Sequence, residues 1–267
     1  MDIFSETPGE KLCLSAREGT VSQNFDFGDP CGFFRVRAVE YLHMAGARSI
    51  GIIIDGNRRW AKAQGKPTYD GHLAGLRRVK DAIEWAKDRD VADVFFYALS
   101  TENWKRSSLE LEHLLLLIEL FFRTHATELA QNNVRVRIAG QRSRFPKRIQ
   151  KLFDDIEERT KDNTAITAWF GLSYGGRAEI LEGVLALQRE KTLPTEEALK
   201  AVLWTKDLPD PDIILRTGGE QRLSNFLTWG SVYSELFFTN TYWPAFTKEE
   251  FNAILDAYET RERRTGK

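Results

Sequence analysis

The sequence predicts an α/β fold, a central mostly parallel β-sheet flanked by helices on both faces. Three observations lead there. Short apolar runs alternate with helix-length segments from about residue 46 onward. The candidate chemistry begins where those runs stop, as expected at the carboxyl edge of a parallel sheet. The chain's 267 residues, 42% hydrophobic and 29% charged, can bury a sizeable core and lack collagen-like, coiled-coil or disordered bias.

Residues 1–45 mix Gly, Ser, Asp and Phe without periodicity and read as an appendage, helical near 33–43, with Met44 a candidate alternative start. Residues 46–267 read as one domain. The apolar run at 49–55 is the first strand, followed by a helix at 71–90 and a second strand at 93–99. A long helix spans 109–132, with Ser107 or Ser108 as its cap and Glu110 just inside. Then come a strand at 134–140, a charged helix at 146–161, a strand at 164–173 and a helix at 177–190. Runs at 212–216 and 235–239 complete the sheet.

Composition narrows the function. Thirty-eight basic and thirty-nine acidic residues leave a net charge of -1, so no nucleic-acid partner is expected and any anion site must be local. The longest apolar run, 114–122, contains Glu119 and is far shorter than the ~20 residues of a membrane span. Two cysteines, Cys13 and Cys31, and four histidines make a disulfide framework or zinc site improbable. No signal-peptide pattern opens the chain, and a cytoplasmic protein is expected.

Four stretches carry chemistry. Asp55-Gly56-Asn57-Arg58-Arg59-Trp60 follows the first strand. It offers backbone N–H groups, two arginines and a carboxylate suited to Mg²⁺ shared with substrate phosphates, although Asp-Gly is also ordinary turn chemistry. Gly71-His72-Leu73-Ala74-Gly75 reads as a helix start where His72 donates to a phosphate, or as a structural histidine. Ser100-Thr101-Glu102-Asn103-Trp104-Lys105-Arg106 reads as a mobile loop, as a capped helix entry, or both. In the last stretch Arg216 ends an apolar run, a Gly-Gly pair follows, and Arg222 with Ser224 offers a second anion pocket; Arg222 also reads as a surface charge. The apolar helix at 109–132 is either a core helix or the wall of a hydrophobic tunnel. Two basic sites, one metal carboxylate and an apolar helix point to a substrate with a diphosphate head and a hydrocarbon tail. No Walker-type loop is present.

Together these residues resemble the cis-prenyltransferase family, the (Z)-isoprenyl or undecaprenyl diphosphate synthases. The resemblance runs from Ser49 to Lys267 and adds Ser173-Tyr174-Gly175-Gly176-Arg177 to the motifs above. It implies a homodimer whose subunits each enclose a hydrophobic tunnel beside the parallel sheet. An allylic diphosphate, farnesyl diphosphate being expected, would lie on Gly56, Asn57 and Arg58 within the motif ending at Trp60, with Arg59 and His72 on its phosphates. Isopentenyl diphosphate would take Arg216, Arg222 and Ser224, closed over by the loop carrying Ser100, Glu102, Asn103, Trp104 and Arg106. Asp55 and Glu235 match metal positions for Mg²⁺. Asp55, Asn57 and His72 form the catalytic group, with the proton acceptor open among Asn57, His72 and a substrate phosphate. Arg264 and Gly266 match a tail segment that reaches the partner's isopentenyl site.

The resemblance implies a lipid-like product and transient membrane contact. Ala98 and Val136 match tunnel positions; being small or moderate, they favour medium or long products. Ser49, Arg58, Thr68 and Gln221 depart from frequent family residues. Thr68 replaces an arginine that assists the allylic diphosphate, for which Lys66 is a candidate substitute, and Gln221 replaces a histidine near the metal. The alternatives are a non-catalytic partner subunit, which would lack the first aspartate motif, and a short-chain or branching synthase.

Overall fold

The computed structural model describes residues 46–261. The appendage, with the helix expected at 33–43, Met44 and both cysteines, lies outside the described residues, as do Arg264 and Gly266. Among the described residues six strands form one sheet: β1 (Ser49–Ile53), β2 (Asp93–Ser100), β3 (Val134–Ala139), β4 (Ile166–Tyr174), β5 (Ile213–Arg216) and β6 (Glu235–Phe238). Their order is β3-β4-β2-β1-β5-β6, and every pairing is parallel. Parallel strands covered on both faces read as continuous apolar runs, and all five residues of β1 are buried. From β1 the chain builds first toward β2, then returns to the other side for β5. Ligands sit at such a reversal, outside the carboxyl ends of the strands.

Among the described residues seven helices accompany the sheet: α1 (Asn57–Ala63), α2 (Thr68–Asp88), α3 (Ser108–Gln131), α4 (Lys147–Thr160), α5 (Gly176–Arg189), α6 (Glu196–Val202) and α7 (Lys248–Glu259). Alternate residues of β2 serve opposite faces. Val94 and Phe96 enter a large core with Ile83, Phe121, Phe122 and Phe153, whereas Phe95 and Tyr97 pack with Trp169, Tyr174 and Phe226. In the larger core Phe170 meets Phe96, Phe121 and Phe122 at ring-centroid distances of 5.8, 5.5 and 5.2 Å. Truncating such a buried ring costs about 3–5 kcal/mol. The β2–β4 register shifts between Tyr97 and Ser100. Register breaks of this kind re-aim side chains beside functional sites, and Ala98 and Leu99 both join the larger core here.

α3 is a core helix, burying Leu114, Leu117, Ile118, Phe121, Phe122 and Leu129, while Leu109, Leu116 and Leu120 are exposed. Its cap is Ser107, whose hydroxyl accepts the Glu110 N–H at 3.4 Å. Among the described residues no helix is long and apolar enough to cross a membrane.

Three helices go beyond the sequence reading. α1 and α6 have seven residues each, about two turns, too short to show a periodicity. α7 did carry a signal: Thr247 caps it through the Glu250 N–H, and Phe251, Ile254, Leu255 and Tyr258 recur at helical spacing. α2 begins at Thr68, three residues before Gly71, so Gly71 and Gly75 lie inside the helix rather than at its anion-attracting end. Their function is close approach. A Cβ on Gly71 would stand 2.2 Å from the Asn57 carbonyl oxygen, and one on Gly75 2.2 Å from Asn57 Oδ1.

Candidate active site

The ends of β1, β2 and β5 build the site. Beyond β1 the chain turns at Gly56, whose φ of +105° is open to glycine and whose absent Cβ would lie 2.7 Å from Tyr242. β5 delivers Arg216 in register with Ile53. The Thr217 hydroxyl then locks the turn, donating to the Asp55 carbonyl at 2.8 Å and accepting the Asp55 N–H at 3.1 Å.

Asp55 is the hub. Its Oδ2 accepts from Arg216 Nη2 at 2.9 Å and its Oδ1 from the Gly56 N–H at 2.6 Å, with Arg59 Nη2 3.2 Å from Oδ1. Burial pushes this carboxyl up, but the Arg216 hydrogen bond and the Arg216 and Arg59 charges hold it below the ordinary value. Arg216 spans the second cluster, its Nη1 donating to the Arg222 carbonyl at 2.6 Å and to Ser224 Oγ at 2.7 Å. Arg222 itself is exposed and pairs with Glu220, which also lies 3.6 Å from Arg59.

Asn57 and His72 face the first cluster with unspent hydrogen-bonding capacity. Asn57 Nδ2 donates to the Ile54 carbonyl at 3.2 Å, while buried Asn57 Oδ1 and His72 Nε2 have no partner. Burial first, then the Arg106 charge, carries the His72 pKa from 6.5 down to about 4 despite the opposing pull of Glu110, so the ring is neutral at pH 7. Glu110 also pairs with Arg106 at 2.7 Å and Arg58 at 3.4 Å, joining loop to α1. The sequence marked Glu110 only as a helix-start residue. Its side chain holds two arginines of the cleft because Arg106 and Glu110 stand four residues apart across a helix start, the one sequence signal available.

The loop is a 3-10 turn, Thr101–Lys105. Ser100 N–H donates to Asn103 Oδ1 at 3.0 Å, and Trp104 Nε1 donates to Ser173 Oγ at 2.8 Å. Two cavities result. One of about 800 Å³ is lined by Asp55 through Arg59, by Lys62, Lys66, Thr68 and His72, and by Arg106. The other, about 530 Å³, is lined by Ile54, Asp55, Ala98, Ser100, Glu102, Asn103, Arg106, Arg216 and Ser224. Asp55 and Arg106 border both. Trp60 sits beside the first, with Lys66 Nζ 5.2 Å over its ring.

Some sequence-selected residues are not brought together. Glu235 pairs with Ile213 at the opening of β5, and its carboxylate bonds Arg261. Parallel register therefore holds it at the amino edge of the sheet, away from Asp55, which follows the carboxyl edge of β1. The register keeps the two carboxylates apart within one chain, and among the described residues no group of three or more His, Cys, Asp or Glu could hold a metal ion. Val136 is fully buried in β3, two strands from β2, and does not line either cavity, whereas Ala98 does. Ser49 is also remote, its hydroxyl donating to the Pro209 carbonyl at 3.2 Å.

The Prenyltransf family model, described as "Putative undecaprenyl diphosphate synthase", matches residues 53–266. An isoprenyl transferase of Thermotoga maritima is 40% identical over 222 residues, covering 81% of this chain and 95% of that protein. Two solved structures share the fold. Lavandulyl diphosphate synthase from Lavandula x intermedia, in complex with dimethylallyl diphosphate, has a TM-score of 0.80 at 30% identity and covers 84% of this chain and 99% of its own. "A probable undecaprenyl diphosphate synthase" from Campylobacter jejuni has a TM-score of 0.72 at 31% identity, with 83% and 99% covered. With the matched segment spanning every strand end that carries Asp55, Arg106 and Arg216, the chain belongs to the undecaprenyl diphosphate synthase family of cis-prenyltransferases and is a prenyl-transferring enzyme.

Proposed function

We propose that this transferase condenses isopentenyl diphosphate with an allylic diphosphate, farnesyl diphosphate being the expected primer, to give a medium- or long-chain Z-polyprenyl diphosphate. The observation that carries this reading is the meeting of two cation-lined cavities at Asp55 and Arg106. Each accepts one diphosphate, and the shared wall brings their reacting carbons together. In the larger cavity Arg58, Arg59 and neutral His72 bind the allylic diphosphate, the leaving group. In the smaller, Arg216 and Ser224 orient isopentenyl diphosphate, with Arg222 at the rim, against the apolar wall of Ile54 and Ala98.

Ionisation of the allylic diphosphate places negative charge on its oxygens, and cations fixed beforehand stabilise it without reorganising. Asp55 fits Mg²⁺: it is ionised, borders both cavities, and supplies the single carboxylate that Mg²⁺ shares with substrate phosphates. Bound there, Mg²⁺ would neutralise leaving-group charge. Of the groups here, neutral His72, which lines the larger cavity with its Nε2 unpartnered, or a substrate phosphate can receive the proton, whereas Asn57 Oδ1, packed on Gly75, can accept only a hydrogen bond. Homodimer formation, with Arg264 and Gly266 completing the partner's site, and transient membrane contact through the product belong to the same proposal.

Ala98 lines the smaller cavity at the wall where the two hydrocarbon groups would meet, and Ala98→Leu tests whether the growing chain runs past it. Products sized by chromatography shorten if the hydrocarbon runs past this residue, and an unchanged ladder rejects that path. A short-chain product is the second reading, supported by the likeness to lavandulyl diphosphate synthase. Dominant products of one or two added units in the unaltered enzyme favour it.

A further inference from the structure

We propose that Asn225 is a positioning residue, clasping the turn Thr101–Lys105 to the anion-binding arm that holds Ser224, and that Glu102 serves as its partner rather than as a substrate ligand. The inference rests on the prenyl-transfer reading of the cleft. Asn225 commits its polar groups to two other segments. Its Nδ2 donates to Glu102 Oε1 at 3.0 Å, its Oδ1 accepts the Arg177 N–H at 2.8 Å, and its carbonyl accepts the Gly176 N–H at 2.7 Å. Loop, arm and the start of α5 thus converge on one side chain. The approach is close: a Cβ on Gly175 would lie 2.6 Å from Asn225 Nδ2 and 2.7 Å from Thr101 Oγ1.

The residue type suits the place. Asn225 has φ of +68° and its neighbour Ser224 +50°, a left-handed region that asparagine enters more readily than most residues. Ser224 Oγ receives Arg216, so a shift at Asn225 moves the phosphate arm directly. Glu102 and Asn225 both border the smaller cavity, where a free carboxylate would repel a diphosphate. The Glu102 oxygens are instead engaged by Asn225 Nδ2 and by Thr101 Oγ1 at 3.1 Å. Although burial pushes its carboxyl up, its own N–H, Ser100, Asn225 and Thr101 hold it below the ordinary range, so it stays ionised at neutral pH. Glu102 is exposed to solvent, where such contacts are readily made and broken, as a loop closing over substrate requires.

Asn225→Asp tests the clasp. The variant keeps the oxygen that caps Arg177 N–H but sets a carboxylate against Glu102. Tryptic cleavage after Lys105 in the substrate-free protein should accelerate, and the Michaelis constant for isopentenyl diphosphate should rise, each roughly tenfold, the loss of one charge-assisted hydrogen bond. Adding Glu102→Gln restores a donor facing the new carboxylate, and both readouts should return toward the starting protein. Glu102→Ala, on the exposed loop, gives the same two effects without touching α5 and decides the matter if Asn225→Asp fails to fold. Unchanged tryptic rates in Glu102→Ala, or a raised Michaelis constant without faster cleavage, overturn the clasp; the latter returns Glu102 to substrate contact. Failure of the double variant to recover overturns it as well. Because proteolysis needs no substrate, a protein that incorporates no isopentenyl diphosphate overturns the functional reading while the cleavage rates still decide the clasp.

Discussion

Arg216 Nη2 lies 2.9 Å from Asp55 Oδ2 across 161 positions of sequence, and it is the arginine that is buried, with a side chain 6% exposed against 30% for Asp55. The pair joins the two anion clusters. Arg216 fixes the aspartate from below and the Arg222–Ser224 arm from the side, while the more open Asp55 keeps a face toward both cavities.

Asp55→Asn therefore separates chemistry from folding better than truncation, since alanine would leave Arg216 buried without a counter-charge. Turnover is expected to fall by about 10²–10³, the range for losing a preorganised charge at a reacting centre, with the protein still folded by circular dichroism. Turnover near that of the unaltered enzyme contradicts the role given to Asp55.

His72 gives stability a pH signature. The unfolded chain takes up this proton near pH 6.5 and the folded chain only near 4. Between those values the unfolded state binds more protons, so stability falls as pH drops through the window. His72→Gln should lose that part of the decline, seen as a flatter plot of thermal midpoint against pH from 6.5 to 4. Parallel plots for the two proteins would show that the folded histidine titrates normally.

Gly75→Ala tests the packing under Asn57. The added methyl would stand 2.2 Å from Asn57 Oδ1 inside a helix, with Trp243 3.1 Å away, and overpacking of this kind costs about 1–3 kcal/mol. Urea unfolding should show that loss, and turnover should fall with it because Asn57 is displaced. A neutral Gly75→Ala would mean that α1 shifts freely relative to α2.

Among the described residues exposed Arg222 pairs with Glu220 and, through its carbonyl, with Arg216. Arg222→Ala is expected to leave the thermal midpoint unchanged and to raise the Michaelis constant for isopentenyl diphosphate by roughly tenfold. Steady-state kinetics with each substrate varied in turn checks this. A selective loss of allylic affinity would reverse the assignment of the two cavities.

The sheet was legible in the sequence because every central strand is buried on both faces and prints an apolar run, as β1 and β2 do. Asp55, Arg106 and Arg216 were legible for a related reason: each follows such a run. What the sequence reading did not resolve depends on register or on short range. Glu235 opens a strand whereas Asp55 follows one, and only the parallel pairing of β5 with β6 reveals that they occupy opposite sheet edges. α1 and α6 are too short to repeat an apolar face. Gly71 and Gly75 looked like a helix start, since nothing local says that Asn57 will press against them. Glu110 was hidden behind its helix-start reading.

The most direct test of the whole account is incorporation of labelled isopentenyl diphosphate by the purified protein with farnesyl diphosphate and Mg²⁺, the products being sized by chromatography. Two diphosphate cavities meeting at Asp55 predict an extended series of Z-polyprenyl diphosphates that is lost when Mg²⁺ is chelated. No incorporation with farnesyl, geranyl or dimethylallyl diphosphate would contradict it and favour a non-catalytic partner subunit.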